Sequence, residues 1–447
     1  MGHHEYVGLV HDKLNEPLRF MVRFIRELGF RPVLLTDVCR KALHEHFYSK
    51  EDIDDLAIVV PKLNVPGIAV PSILEELKRR SINLEHCINV RDPLSDTFLI
   101  LMDRLGITFP FLEAYRTCRV KPIARTMLHK KNLTRGQFAV HSITNPERPT
   151  SMSLPLVSKP ITGSGSHGVA LVETENDWLL SLQAAHARRG PDDFSIAGFR
   201  PRSQVLLESR YYGTEYEIDG YRFQGATTIC ALGFKHHNFS EIGVREMGGQ
   251  TYYPGNIPAY ESADLRLVKW VHEILDALNY ETGVFHVEAM AKGDHIELIE
   301  VNPRFGGGGV TEIVHQLSGV DLIAECVRLW LGLKPDRVPA VSGTKSVFYL
   351  VQYPSLVGYL RTIRKEGMYP FPFRQGQSVT ARWLPLVTEG LQLDYKDREQ
   401  YLGELHIANV PLAVEELEHV VMSLQDLLRE LSFVEEVRRD PDLKKSS

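Results

Sequence analysis

Apolar and polar residues alternate along the first part of the chain in two periods, which predict strands and helices in turn. Short apolar runs at residues 5–12 and 31–37 predict strands. Between them, residues 16–30 carry apolar side chains at helical spacing and include Gly29, a residue that suits a helix C-terminus. The order of strand and helix recurs, which predicts an open, mostly parallel α/β unit over residues 1–115.

A second pattern, in residues 284–302, predicts a β-hairpin that carries acidic side chains. Two apolar-rich runs flank a Gly-Asp turn at residues 293–294. Glu288 lies on the first strand. Glu300 and Asn302 share one face of the second strand, because residues two apart in a strand point the same way. Pairing about the turn would bring Glu288 near these two residues.

Two carboxylates and an amide on one face offer hard oxygen ligands, which suit Mg2+ bound together with phosphate oxygens. Pro303 then ends the strand, and Arg304 offers a planar guanidinium for a phosphate or an oxyanion. Glycines at 306–309 add bare backbone N–H groups at the same point. The ordinary alternative is a half-exposed hairpin with acids on its wet face.

A Gly/Ser-rich loop at residues 162–168 lies between two predicted strands, and the first strand ends near Lys159. Glycines let backbone N–H groups approach phosphate oxygens, and a nearby lysine adds charge. The Walker pattern requires its lysine after the loop, and the Rossmann fingerprint requires a helix after its glycines. Neither fits, so a dehydrogenase is disfavoured; a plain hairpin turn remains the alternative.

Two other charged segments have ordinary explanations when each is taken alone. The basic stretch 116–133 is predicted to be helical after Pro122, and a charge run on a helix is usually a solvated face. Glu208 and Glu215 follow an apolar strand, where surface acids on a sheet are the default interpretation.

The composition limits the classes of protein to which this chain can belong. A chain of 447 residues predicts about two to four domains. Hydrophobic residues make up 43% and charged residues 24%, as in soluble globular proteins, and a net charge of -6 argues against a nucleic-acid partner. We expect no membrane span and no signal peptide. The 5 cysteines lack a CxxC pair, which predicts a reducing, cytoplasmic setting without disulfides or a zinc site.

Together these motifs resemble the ATP-grasp superfamily and, within it, the carboxylate–amine ligases; the L-amino-acid ligases are closest in layout. The resemblance covers about residues 1–430. It rests on the acidic hairpin with its Asn-Pro-Arg and glycines, on Lys159-Pro160 before the loop, and on Glu208…Gly213-x-Glu215. It implies the ATP-grasp fold, with an N-terminal open α/β domain, a lid subdomain and a C-terminal antiparallel α+β subdomain.

The resemblance also implies domain boundaries. The expected segments are an N-terminal substrate-side domain at 1–115, a first ATP-grasp half at 116–210 with its lid at about 150–208, a second half with the metal site at 211–335, a C-terminal subdomain at 336–435, and a disordered tail at 436–447.

The site residues carried over from the resemblance fall into three groups. The ATP-binding residues implied are Lys121, Lys159, Ser164, Gly165, Ser166, Glu208, Tyr211 and Glu215; the metal ligands are Glu288, Glu300 and Asn302; the catalytic residues are Arg304, Glu241, Gly307 and Gly308. Within these groups, Lys121 and Lys159 correspond to phosphate lysines, Glu208 and Tyr211 to the adenine hinge, and Glu215 to the ribose acceptor.

Two departures from the family pattern leave alternatives open. Val120 precedes Lys121 where the family often has Asp or Asn, so Lys130 or Lys131 could be the first phosphate lysine. The segment around Phe239 and Glu241 resembles the substrate-facing segment of the L-amino-acid ligases. Its neighbours differ from the family, which leaves the roles of His237 and Arg245 open.

The implied function is an ATP-dependent ligase that forms an amide bond through an acyl phosphate. It would use ATP and Mg2+, with Mn2+ as an alternative ion, and join a small-molecule carboxylate to an amine. A homodimer is expected from the resemblance alone. The alternatives are another ATP-grasp chemistry, of the carboxylase or purine-synthesis kind, and a non-catalytic ATP-binding regulator.

Overall fold

A computed structural model describes most of the chain. The described residues are 5–47, 56–109, 111–163, 167–187, 195–236, 247–255, 262–340, 346–354, 357–374, 377–393, 401–409, 424 and 426–436. Among these residues, no helix is both long and apolar enough to cross a bilayer.

The N-terminal unit is a parallel sheet flanked by helices, as the alternating pattern predicts. Its strands have the order β3-β2-β1-β4. The elements are β1 (Tyr6–Val10), α1 (Glu16–Glu27), β2 (Arg31–Thr36), α2 (Arg40–Phe47), β3 (Ala57–Val59), α3 (Pro66–Arg79), β4 (Leu84–Asn89) and α4 (Ser95–Leu105). Asn15 caps α1 by accepting from the Leu18 N–H, and Gly29 follows that helix with a φ of +90°.

Two short helices lead from this unit to a four-stranded subdomain, which includes the segment at about 150–208 expected as the lid and is called the lid below. The helices are α5 (Leu112–Arg119) and α6 (Lys121–Lys130). The basic stretch is therefore helical on both sides of a break at Val120, and Pro122 lies in the first turn of α6, where its missing N–H costs nothing. The lid strands are β5 (Phe138–Ser142), β6 (Leu156–Pro160), β7 (Ala170–Val172) and β8 (Gln204–Ser209), beside α7 (Glu175–Ala187).

The lid has its own antiparallel sheet and its own core. The strand order is β5-β8-β6-β7, and Trp178 of α7 packs on apolar side chains from the sheet. Strands β6 and β7 pair antiparallel, so the Gly/Ser-rich segment joins neighbouring strands, as the sequence predicts.

A nine-stranded sheet forms the rest of the body. Its order is β13-β12-β9-β10-β11-β14-β19-β17-β16. The strands are β9 (Thr214–Phe223), β10 (Ala226–Lys235), β11 (Met247–Pro254), β12 (Gly283–Lys292), β13 (His295–Asn302), β14 (Val347–Gln352), β16 (Gly367–Arg374), β17 (Gln377–Pro385) and β19 (Gly403–Ala408). Four strands after residue 346, namely β14, β16, β17 and β19, thus extend the sheet that holds the acidic hairpin.

Three helices and a small sheet complete the described structure. The helices are α8 (Ser262–Ala277), α9 (Val310–Ser318) and α10 (Leu322–Trp330). The small sheet joins β15 (Gly358–Ile363), β18 (Gln392–Leu393) and β20 (Ser432–Glu436). Towards the C-terminus, residues 424 and 426–431 are helical, with Leu424, Leu427 and Leu428 buried against the C-terminal strands.

Candidate active site

The acidic hairpin pairs about its Gly-Asp turn, and a β-bulge between Glu288 and Ala289 shifts the register by one residue. Strands β12 and β13 place Glu288 directly opposite Glu300, and His286 opposite Asn302. The amide nitrogen of Asn302 lies 3.5 Å from Oε1 of Glu288. Glu217 of β9 lies opposite Glu288 on the other side, so three carboxylates form a row across three strands. Like charges in such positions repel, so the row requires cations.

Cationic side chains from distant segments surround this row. Nζ of Lys121 lies 2.9 Å from Glu300, and a guanidinium nitrogen of Arg119 lies 3.6 Å from the same carboxylate. Lys235 of β10 contacts Glu215, lies 2.9 Å from Glu217, and reaches within 3.9 Å of Glu288. Glu215, expected at the ribose, therefore lies beside the carboxylate row.

The neighbouring charges keep the Glu288 carboxylate ionised. Burial alone would raise the pKa of Glu288, but Lys235 and His286 outweigh it and hold the pKa well below its usual range. Burial would lower the pKa of His286, yet Asp219, whose Oδ1 lies 3.0 Å from Nδ1, raises it. Glu288 is therefore held as an anion, with Lys235 and His286 as its counter-charges.

Arg304 is held by Asp92, a residue that the sequence reasoning missed. Nε of Arg304 donates to Oδ2 of Asp92 at 2.8 Å, and Arg119 donates to the other carboxylate oxygen at 3.1 Å. Burial would raise the pKa of Asp92, but Arg304 and Arg119 outweigh it and hold the pKa at about 2. The available signal was its place just after β4, since polar residues past the carboxyl end of a parallel strand often line a site.

Lys159 and Glu208 form a second buried charge cluster with Arg125. Glu208 accepts from both cations, and all three side chains are buried. Arg125 also donates to the Ile299 carbonyl at 2.7 Å, and Nζ of Lys159 lies 3.5 Å from that oxygen. Burial lowers the pKa of Lys159, although Glu208 opposes the shift. The surface-acid interpretation is therefore wrong for Glu208, because the lid strand carries it inward.

Tyr211, expected at the adenine hinge, packs beside this cluster. Its ring lies against Gly136, where an added Cβ would come within 2.2 Å of the tyrosine oxygen. Burial raises the pKa of Tyr211, and the neighbouring Glu208 raises it further. The close approach of ring and backbone requires a glycine at position 136.

The predicted lysine alternatives differ in burial. Lys121 is buried at the carboxylate row, whereas Lys130 and Lys131 are exposed at the far end of α6. These positions favour Lys121 as the phosphate lysine. The solvated-face interpretation of the basic stretch is wrong for Arg119, Lys121 and Arg125, since all three side chains are buried.

Several predicted site residues lie outside the described residues. They are Ser164, Gly165, Ser166, His237, Phe239, Glu241 and Arg245.

The glycine loop after Arg304 connects the hairpin to α9 and lies on the C-terminal strands. The Gly306 N–H donates to Asp219 at 3.2 Å, and the Gly309 N–H donates to the Tyr349 hydroxyl at 3.4 Å. Gly307 and Gly308 are exposed. Gly308 has a φ of +60°, and a Cβ there would lie 2.6 Å from the Tyr349 oxygen.

Gly308→Ala should lower both stability and turnover, because it adds left-handed strain and a clash with a buried tyrosine. Gly293→Ala is the matched control, since Gly293 has a φ of +58° with nothing within 4 Å of an added Cβ. Each variant should lose about 1–2 kcal/mol from strain, and Gly308→Ala more. Urea unfolding measures the free energy of unfolding of the two variants. An equal loss of stability in both would contradict the packing described for Gly308.

The donor set of the hairpin fits Mg2+. Within the described residues, no three His, Cys, Asp or Glu side chains form a metal-binding group. The candidate ligands are instead two carboxylates, Glu288 and Glu300, with the amide of Asn302. These are hard oxygen donors of the kind that Mg2+ prefers.

Comparisons with known proteins identify a family domain in the middle of the chain. Residues 152–312 match the family model of the ATP-grasp domain. The chain therefore contains an ATP-grasp domain, and the acidic hairpin and Lys159 lie within the matched residues. The predicted fold class is confirmed.

Known relatives are similar over parts of the chain. Carnosine synthase 1 from Gallus gallus is 27% identical over 277 residues, covering 59% of this chain and 29% of the relative. The chain spans about a third or less of the carnosine synthases that it matches. A formate-dependent phosphoribosylglycinamide formyltransferase from Hahella chejuensis is 23% identical over 350 residues, covering 71% of this chain and 80% of the relative.

Solved structures share the fold along nearly the whole chain. An L-amino acid ligase from Bacillus licheniformis superposes with a TM-score of 0.67 at 16% identity, covering 98% of this chain and 100% of that one. A biotin carboxylase from Campylobacter jejuni gives a TM-score of 0.59 at 15% identity, covering 96% and 92%. At these identities the likeness concerns the fold alone.

Proposed function

We propose that the chain is an ATP-dependent carboxylate–amine ligase of the amino-acid ligase type, which forms an amide bond through an acyl phosphate. The observation that carries this proposal is the convergence on the acidic hairpin. Glu288, Glu300 and Asn302 share one face, while Lys121, Arg119 and Arg304 approach it from other segments. Such a site can neutralise the negative charge of a transferring phosphoryl group.

The reaction has two steps. An oxygen of the substrate carboxylate attacks the γ-phosphorus of ATP, and ADP leaves. The amine nitrogen then attacks the acyl carbon, loses a proton, and phosphate leaves. Neither step requires a nucleophilic side chain, so the protein contributes positioning and charge neutralisation.

The basic residues would divide this work by position. Lys121 and Lys159 would contact phosphate oxygens, because both are buried cations on segments that flank the hairpin. Arg304 would steady the acyl phosphate, and Asp92 holds its guanidinium in place. The backbone N–H groups of Gly307 and Gly308 would face the oxyanion that forms when the amine attacks the acyl carbon. Glu288, Glu300 and Asn302 would hold Mg2+, with Mn2+ as an alternative; a bound divalent ion neutralises phosphate charge.

Lys159→Ala should raise the KM for ATP about ten- to a hundredfold, since it removes one charged contact to phosphate. Lys131→Ala is the matched control, because Lys131 is exposed at the end of α6. ADP formation at varied ATP and at varied amine measures both effects. A rise confined to the KM for the amine would contradict the phosphate assignment.

The function itself is tested by phosphate release from ATP and Mg2+ with pairs of L-amino acids and small carboxylic acids, followed by mass spectrometry. A product lighter than its two precursors by one water would support the ligase. ADP without a condensed product would favour another ATP-grasp chemistry. ATP binding without consumption would favour the regulator.

A second candidate follows from one specific relative. The formyltransferase from Hahella chejuensis aligns over 80% of its own length. Formate and phosphoribosylglycinamide therefore belong in the substrate panel, and turnover confined to that pair would favour a purine-synthesis role.

The cysteines fit a cytoplasmic setting, which we propose for either function, because all five are free and four are buried.

A further inference from the structure

The carboxylate row of the hairpin has a second polar row beside it. Strand β12 places His286 opposite Asn302, and Asp219 of β9 lies opposite His286 on the other side. His286 lies two residues before Glu288 and Asp219 two residues after Glu217, so both rows occupy one face of the sheet. The side chains of His286 and Asp219 are buried there.

Asp219 binds two partners through one oxygen atom. Its Oδ1 accepts from the backbone N–H of Gly306 at 3.2 Å and lies 3.0 Å from Nδ1 of His286. Burying a carboxylate is costly unless it is paired and hydrogen-bonded, so these two contacts decide where the Asp219 side chain lies. Asp219 therefore holds the first residue of the glycine loop.

His286 connects Asp219 to a proposed metal ligand. Its other ring nitrogen, Nε2, lies 3.6 Å from Oε1 of Glu288, which is within reach of an ion pair. Groups that contact a metal-ligating side chain fix its orientation and support its affinity for the metal. The contacts form a path from Glu288 through His286 and Asp219 to the N–H of Gly306.

We propose that His286 and Asp219 are positioning residues that couple Glu288 to the glycine loop, so that a divalent ion bound at the hairpin also orders the loop. The inference rests on the proposed function, in which the hairpin holds Mg2+ and the loop faces the oxyanion. The ordinary alternative is a buried pair that satisfies its own polar atoms and transmits nothing.

The test separates the two sides of the imidazole. In His286→Asn the amide can replace Nδ1 towards Asp219 but does not reach Glu288, whereas in His286→Gln the amide can replace Nε2 towards Glu288 and leaves Asp219. Calorimetry measures binding of the β,γ-imido analogue of ATP in Mg2+ and in EDTA, and hydrogen exchange follows residues 303–310. His315→Asn is the matched control, because this exposed histidine lies on α9, directly after the loop.

In the unchanged protein and in His315→Asn, Mg2+ should tighten binding of the analogue and slow hydrogen exchange in the loop. His286→Asn should lose about tenfold or more of this tightening, as expected when a metal ligand loses its support. It should bind normally in EDTA, which also shows that the variant is folded. His286→Gln should keep most of the tightening but lose the slowed exchange.

Three results would count against the coupling. Tightening and slowed exchange that persist in both variants would show that the pair only fills the core. Binding that weakens equally in Mg2+ and in EDTA would show a general structural role. An unchanged protein whose binding of the analogue does not respond to Mg2+ would instead contradict the metal site of the proposed function, and this inference with it.

Discussion

Glu300→Gln should lower kcat by about 10²–10³-fold, comparable to the loss of one preorganised electrostatic group from an active site. The carboxylate lies opposite Glu288 and 2.9 Å from Nζ of Lys121, so the amide removes a negative charge from the centre of the site. It also removes one of the two charged oxygen donors proposed for Mg2+. Phosphate release at saturating ATP measures the effect, and the Mg2+ dependence should move to higher concentration.

The control for Glu300→Gln is Asp294→Asn, in the turn of the same hairpin. The Asp294 side chain is 96% exposed, so its variant should keep normal turnover. Thermal unfolding of both variants separates loss of chemistry from loss of fold. A near-normal kcat for Glu300→Gln would remove this residue from the metal site.

Asp92→Asn should be the most destabilising of these substitutions. The carboxylate is buried and bonds to two guanidiniums, Arg304 and Arg119, which would both lose their charge partner. Removing one member of a buried ion pair costs about 3–5 kcal/mol. Turnover should also fall, because Arg304 would no longer be held. Urea unfolding at neutral pH measures the loss, and Asp103→Asn, at an exposed salt bridge, should cost about 0–1 kcal/mol.

The same variant has a defined pH signature. The pKa of Asp92 is depressed to about 2 in the folded protein, from an unfolded value of about 3.9. The stability from this shift is therefore present above about pH 4 and is lost as the pH falls towards 2. The stability difference between the unchanged protein and Asp92→Asn should shrink across that window. A difference that stays constant there would show that the carboxylate charge is not the cause.

The elements and the hairpin were predictable from sequence because they depend on local patterns. Alternation with period two and a Gly-Asp turn predict the hairpin, but they do not specify the β-bulge next to Glu288 that sets this residue opposite Glu300. The N-terminal strands and helices follow from the same kind of pattern. These signals need only residues close together in the chain.

The charge clusters could not be predicted, since their members are distant in sequence. Arg119 contacts Asn302 across 183 positions, and Arg125 contacts Glu208 across 83. From its helix alone, Arg119 would be predicted to lie in solvent. It is buried because it pairs with Asp92 and Glu300, which belong to other parts of the chain. The sequence around Asp92 contains no local pattern that predicts its pairing with Arg119 and Arg304.

The nine-stranded sheet has a consequence for how the protein can be divided. Residues 152–312 match the ATP-grasp domain, yet β11 pairs on its far side with β14, which belongs to residues 347–352. A chain that stopped at 312 would leave a row of N–H and C=O groups of β11 without partners. Such a bare edge is a template for joining another chain. The C-terminal strands therefore cover the edge of β11 and protect residues 152–312 from self-association.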